Sequence, residues 1–339
     1  MALTRLKLVN FTVFSELDME FSPGINVLIG ENSTGKTHVL KVLYSACQAA
    51  QAQTTTLKFN QKLVRVFRPD SLKISRLVKR GKGSRASAIT VISSDAELNL
   101  YFHFKSKEWN AEIKGEKNWE KQAESLVSIF IPSKDILSNA QNLPSAIDQS
   151  IVAFDDTYKD IIQIASVGVP KGREPLIVRK YAKILHNLGT LSVDISDEAF
   201  YIRQGSQAKL EFNLVSEGIR KIALLLQLVK NGAFAKGTVL FWDEPEANIN
   251  PRNYPILAEM LLELQRDGVQ VFISTHDYFF ARYLDVRKKR RHEILYHALY
   301  TNGSSVEYEK ALDFEGLTNN VIIDQSINLY KEEVWKVME

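Results

Sequence analysis

Apolar and polar residues alternate from Leu3 to Val9, the pattern of a strand with one covered face. A second strand is predicted over Leu17 to Phe21. The next apolar stretch, Ile25 to Ile29, is unbroken, as expected of a strand covered on both faces. It stops at Gly30. From Lys36 the period changes, because Val39, Leu40, Val42 and Leu43 recur at helical spacing, so the segment between lies on a strand-to-helix turn. Further strand-like stretches, Ala88 to Ile92, Leu98 to Phe104 and Leu126 to Ile131, are separated by polar and basic loops. They predict an antiparallel layer beside the first sheet. Between about Ser145 and Gly189 the pattern is helical, with Tyr181, Ile184, Leu185 and Leu188 on one face, which predicts an inserted helical lobe. From Ser216 helix and strand alternate again. No internal repeat appears, and no heptad run is long enough for a coiled-coil arm.

Composition narrows the class. The 339 residues are 45% hydrophobic and 24% charged, enough to bury a large core. The single cysteine, Cys47, has no partner in the chain, and no CxxC or clustered Cys/His spacing suggests zinc; a reducing cytosol fits. No stretch of about 18 apolar residues is present, so neither export nor a membrane span is expected. A formal charge of +3 identifies no nucleic-acid binder, because steering depends on local clustering.

The turn after the third strand reads Gly30-Glu31-Asn32-Ser33-Thr34-Gly35-Lys36-Thr37, which matches GxxxxGK[ST], the Walker A loop. Glycines let backbone N–H groups turn inward around phosphate oxygens, and the helix that follows through His38 offers its positive end to the same anion. In this motif Lys36 bridges the β- and γ-phosphates of ATP and the Thr37 hydroxyl ligates Mg²⁺. Residues 30 and 32–38 are the candidate nucleotide contacts. A second element, Thr238-Val239-Leu240-Phe241-Trp242-Asp243-Glu244, is an apolar strand ending in two carboxylates, a Walker B strand. There Asp243 holds Mg²⁺, and Glu244 orients and polarises the attacking water.

Two further elements follow in order. Val215-Ser216-Glu217-Gly218-Ile219-Arg220 opens a helix before the second strand, and Val271-Phe272-Ile273-Ser274-Thr275 ends at His276. Alone, Ser216 is an N-cap and His276 an ordinary loop residue. In series with the other two, they make the chain resemble the ABC ATPase superfamily, whose signature is a serine, a variable residue and a glycine at a helix start. The resemblance implies an α/β P-loop NTPase of the ABC ATPase head type, with the antiparallel layer and the helical lobe as additions. It also implies three segments: 1–135, a nucleotide-binding lobe; 136–215, a helical insertion; and 216–339, the second half of the core. It further implies a head-to-tail dimer in which Ser216 and Gly218 meet the γ-phosphate held by the other copy, while Glu244, His276 and Lys36 support hydrolysis. Glu246-Ala247-Asn248-Ile249-Asn250-Pro251 occupies the family's D-loop position, which crosses that interface.

The opening Arg5-Leu6-Lys7-Leu8-Val9-Asn10-Phe11, the Ser-Glu-Gly signature and the Asp-Glu-Pro-Glu-Ala-Asn turn resemble the RecF, SMC and OLD group. Within it the chain is most similar to short bacterial AAA-type ATPases encoded in anti-phage defence operons. It departs from the superfamily at two places: Ile131-Pro132-Ser133-Lys134-Asp135 stands where a Q-loop glutamine is expected, and Asn250 stands where many members have aspartate. About sixty residues follow His276, too few for the TOPRIM nuclease domain of OLD proteins in its usual form. The resemblance therefore implies an ATPase subunit whose effector, a nuclease or toxin, is a separate protein; the alternative is a RecF-like protein whose DNA loading is gated by ATP. Lys73, Arg76, Lys79, Arg80, Lys82 and Arg85 form one basic stretch, and Arg287 to Arg291 a second. Either can hold a nucleic-acid backbone, although such runs are more often solvated loops. Gly81 to Ala86 fits GxGxxA, but a charged loop precedes it where a dinucleotide site needs a buried strand.

Overall fold

The computed structural model describes residues 1–49, 57–81, 83, 85–123, 126–135, 137–149, 151–168, 176–185, 191–196, 199–206, 208–303 and 305–338. The first third of the chain carries β1 (Leu3–Phe11), β2 (Phe14–Glu20), β3 (Ile25–Gly30), α1 (Lys36–Gln48), α2 (Phe59–Phe67), β4 (Ala86–Ser93), β5 (Glu97–His103), β6 (Glu112–Lys114), α3 (Glu116–Ala123) and β7 (Ser128–Ile131). The middle carries α4 (Leu143–Asp148), α5 (Asp156–Ala165), α6 (Leu176–Leu185), β8 (Leu191–Ser196), β9 (Ala199–Gln204) and β10 (Leu210–Glu211). The last third carries α7 (Glu217–Lys230), β11 (Val239–Asp243), α8 (Tyr254–Arg266), β12 (Gln270–Thr275), α9 (Tyr278–Arg287), β13 (Ile294–Asn302), β14 (Ser305–Ala311) and α10 (Val321–Met338).

Three sheets result. The central one has the order β14-β13-β3-β12-β11-β7, with β13, β3, β12, β11 and β7 parallel. The unbroken apolar runs lie in its middle, and alternate residues leave it on opposite faces. Ile25, Val27, Ile29, Leu240, Trp242, Val271 and Ile273 join one core with α7, α8 and α9, whereas Leu28, Val239, Phe241 and Phe272 join the other. The second core lies under α1 and the antiparallel sheet β2-β1-β4-β5-β6, which supplies Leu6, Leu8, Phe11, Ile89, Val91 and Leu100. Phe241 and Phe272 stack there with ring centroids 5.2 Å apart. Each such buried side chain contributes roughly 1.5–3 kcal/mol by removal from water.

Two expectations are corrected. The stretch ending at Ile131 does not belong to the antiparallel layer. β7 pairs in parallel with β11, Ser128 opposite Val239, so its apolar side chains are covered on both faces rather than one. The inserted lobe is not purely helical either: the sheet β10-β9-β8 packs beside α7. Of the four residues placed on the helical face, Tyr181 is fully buried and bonds Asp267 at 2.6 Å, Ile184 packs on the core, and Leu188 falls outside the described residues. Among the described residues no helix is long and apolar enough to cross a membrane.

Candidate nucleotide site

β3, β11 and β12 end side by side in register, so the loops that follow Gly30, Asp243 and Thr275 open at one edge of the sheet. That edge gathers most of the residues singled out from sequence. Gly35 precedes α1 in the left-handed region, at φ 92°, and a β-carbon there would come within 2.4 Å of the Phe14 ring. Only glycine fits both demands. The first helical bond runs from Val39 N–H to Gly35 O at 3.0 Å, so the N–H groups of Lys36, Thr37 and His38 have no intrahelical acceptor. They form a ready anion site.

Lys36 is buried, and its ammonium donates to the Gly30 and Glu31 carbonyls at 2.7 and 2.8 Å. Burial lowers its pKa from the ordinary lysine range, opposed by the charges of Glu244, Asp243, Glu246 and Glu31. The lysine is thus held across the loop mouth by acceptors that a phosphate would replace with stronger, charge-assisted ones. Thr34 closes the loop by donating to Glu31 O at 2.9 Å, while Asn32 and Ser33 are exposed on its rim. His38 turns its imidazole to Thr12 Oγ1 at 3.0 Å and against Phe67; burial holds it neutral, its pKa down at about 4. Its contribution to an anion is therefore the backbone N–H.

The Thr37 hydroxyl lies 3.0 Å from both oxygens of Asp243, which also accepts from Ser274 Oγ. Burial raises the Asp243 pKa, opposed by these two donors. A hydroxyl and a carboxylate meeting at a half-buried point beside a phosphate loop suit Mg²⁺, which keeps several waters and takes few protein ligands. Among the described residues no cluster of three or more His, Cys, Asp or Glu side chains competes for such an ion.

Glu244 follows at φ 49°, a left-handed conformation that costs a non-glycine residue roughly 1 kcal/mol or more. Its N–H donates to Ser274 O at 3.1 Å, and Lys221 Nζ bonds Ala247 O at 2.7 Å, which together pin the turn. The pinned turn sets the Glu244 carboxylate 3.2 Å from His276 Nδ1, with both side chains open to solvent. Beneath them Glu246 is buried and accepts from Thr275 Oγ1 at 2.7 Å, while its other oxygen has no partner among the described residues. Burial pushes its carboxyl up to about 7. The sequence places Glu246 only in the D-loop position and gives it no chemical role; its signal is a carboxylate two residues beyond Glu244.

The signature residues lie apart. Ser216 opens α7 but its side chain makes no capping bond, and it is exposed. Among the described residues no hydrogen bond or ion pair ties Ser216 or Gly218 to the phosphate loop. Gly218 sits against the D-loop, where a β-carbon would come within 2.6 Å of Asn248 O. Glu217 accepts from Asn248 Nδ2 at 2.8 Å and from Asp135 N–H at 3.2 Å, and Arg220 pairs with Asp135 at 2.9 Å. The segment standing where a glutamine was expected is therefore bound to the signature helix. Asn250, in place of aspartate, accepts from Arg252 N–H at 3.0 Å.

Comparison with known proteins agrees with this arrangement. A stretch of 83 residues is 37% identical to the DNA replication and repair protein RecF of Latilactobacillus sakei subsp. sakei (strain 23K), covering 24% of this chain and 21% of that protein. The chain thus spans about a fifth of the length of the curated relatives it matches. An SMC head bound to the C-winged helix domain of ScpA superposes with a TM-score of 0.57 at 11% identity, over 93% of this chain and 99% of that one. An SMC head with an extended coiled coil, bound to the C-terminal domain of ScpA derived from Pyrococcus furiosus, gives 0.56 at 10% identity over 98% and 99%. These likenesses show the fold, an SMC-head-like P-loop ATPase with mixed parallel and antiparallel sheets. The family model AAA_21, described as "AAA domain, putative AbiEii toxin, Type IV TA system", matches residues 25–282, about three quarters of the chain, from the strand before the phosphate loop to the helix after His276. The chain belongs to this family, an ABC-type P-loop ATPase of RecF/SMC-like form.

Proposed function

We propose that the protein binds and hydrolyses Mg²⁺-ATP in a head-to-tail dimer, and that the closed dimer controls a separate effector, a nuclease or toxin, in a bacterial anti-phage system. One observation carries the ATPase reading: Thr37 and Asp243 share one half-buried point while Glu244 and His276 face each other beside it. The phosphates would lie on the N–H groups of Lys36 to His38, with Lys36 on the β- and γ-phosphates. Bound there, Mg²⁺ would draw charge from the γ-phosphate. Glu244 would take a proton from the water attacking that phosphorus in line, the bond to the β–γ bridging oxygen breaking as the new one forms. His276 orients Glu244. Ser216 and Gly218 would arrive from a second copy, which accounts for a serine left bare at a helix start.

The effector reading rests on the family's toxin–antitoxin description and on the resemblance to defence-operon ATPases. A second reading, ATP-gated DNA binding in repair, is favoured by the RecF-like stretch. Purified chain should convert ATP to ADP and phosphate only with Mg²⁺. Glu244→Gln should slow turnover by about 10²-fold or more and accumulate the ATP-bound dimer. Equal rates in the two proteins would remove Glu244 from the reaction. A neighbouring gene's product co-purifying with the chain separates the effector reading from repair, which requires duplex-DNA affinity that rises with ATP.

A further inference from the structure

The two basic stretches differ in setting, since the first lines a cleft. In the second, Arg287 pairs with Glu259 at 3.4 Å and Lys288 with Asp313 at 2.6 Å. In the first, Lys73, Arg76, Lys79, Arg80 and Arg85 line one cleft of about 370 Å³ that ends at Phe104. Arg76 pairs there with Asp70 at 3.2 Å on the open surface. Lys79 is spent on Val13 O at 2.6 Å, whereas Lys73, Arg80 and Arg85 enter no ion pair among the described residues. Uncompensated like charges on a concave wall focus a field that an anion relieves.

The cleft continues. A second one, of about 440 Å³, shares Arg76, Val78, Lys79 and Arg80 and reaches Ser33 on the phosphate-loop rim. The two make a trough from the nucleotide site to Phe104, a residue 40% exposed, with Lys105 Nζ 5.5 Å and the His103 ring 4.5 Å from its ring centroid. A cationic groove ending in a part-exposed aromatic ring is how single strands are held, phosphates along the cations and a base on the ring. A duplex keeps its bases stacked inside and has nothing to place on Phe104.

We propose that this trough binds a single-stranded nucleic acid, with Lys73, Arg80 and Arg85 on backbone phosphates and Phe104 stacking a base. The inference stands whether or not the neighbouring nucleotide is hydrolysed. Fluorescence anisotropy of the full chain with labelled DNA and RNA strands of about 20 nucleotides, and with the matching duplexes, tests it across a salt series. The K73E/R80E/R85E variant should bind single strands at least tenfold more weakly, with a log–log salt slope shallower by about 2 for three lost phosphate contacts. Phe104→Ala should weaken single-strand binding several-fold and leave duplex binding unchanged. Both variants should keep the wild-type affinity for ATP, which separates this site from the nucleotide pocket. Unchanged affinity in the triple variant, duplex bound more tightly than single strand, or no binding at about 50 mM salt would each overturn the proposal.

Discussion

The phosphate-loop edge and the signature face are built to opposite rules. At the first, Lys36, Thr37, Asp243 and Ser274 are buried or half-buried and bonded to one another or to loop carbonyls, so each is fixed by bonds within the chain. At the second, Ser216 is exposed and caps nothing, although Glu217, Gly218 and Arg220 around it are tied to the D-loop and to Asp135. The backbone there is anchored while the reactive-looking side chain is left open. A group held in place with no bonding partner among the described residues of its own chain is what a composite site needs from each contributor: preorganisation costs little at the moment of assembly, and specificity comes from the second copy.

The contrast can be sharpened at its buried end first. Glu246 has a folded-state pKa raised from 4.5 to about 7, so the folded chain holds its proton more tightly than the unfolded one. The stabilisation this gives is complete below about pH 4.5 and is lost as pH rises to about 7. The loss is on the order of 3 kcal/mol at 1.36 kcal/mol per unit. Glu246→Gln cannot ionise. Its urea midpoint should therefore hold steady over that window while the wild-type midpoint falls, and parallel profiles would show that the carboxyl is paired in solution. The exposed end should respond far less. A serine whose side chain caps its helix contributes about 1 kcal/mol, but Ser216→Ala removes no such bond and should change stability by no more than a few tenths. A thermal shift as large as a lost cap would mean that Ser216 is spent within its own chain.

Legibility followed the same division. Elements with a strict period and a covered face were readable: the runs Ile25 to Ile29 and Val271 to Ser274 fall in strands buried on both sides, and the α1 residues Val39, Leu40, Val42 and Leu43 are all buried. The phosphate loop was readable because its chemistry tolerates few residue types at fixed spacing. β7 was misplaced because a short apolar run does not announce whether its neighbours run parallel or antiparallel, a property set by β11 more than a hundred residues away. The sheet β8 to β10 was missed because its short strands adjoin a helical stretch of similar composition. The pairing of Asp135 with Arg220 could not be read at all, since it joins a loop to the first turn of α7, which only the assembled sheet brings together. Glu246 was hidden by its neighbour, because an acidic residue after a carboxylate pair reads as a solvated turn until its burial is known.

The central claim is that each ATP is gripped by one chain and completed by another, and mixing two disabled variants tests it most directly. Lys36→Ala should lose the nucleotide from its own pocket, and Ser216→Arg should bind ATP yet fail to complete its partner's. Each alone should be inactive. Mixed in equal amounts, they form dimers with one intact composite pocket, in which Lys36 comes from the serine variant and Ser216 from the lysine variant, so ATPase activity should return to about a quarter of wild type if subunits exchange at random. Silence in the mixture, with both variants folded and dimerising, would contradict the account.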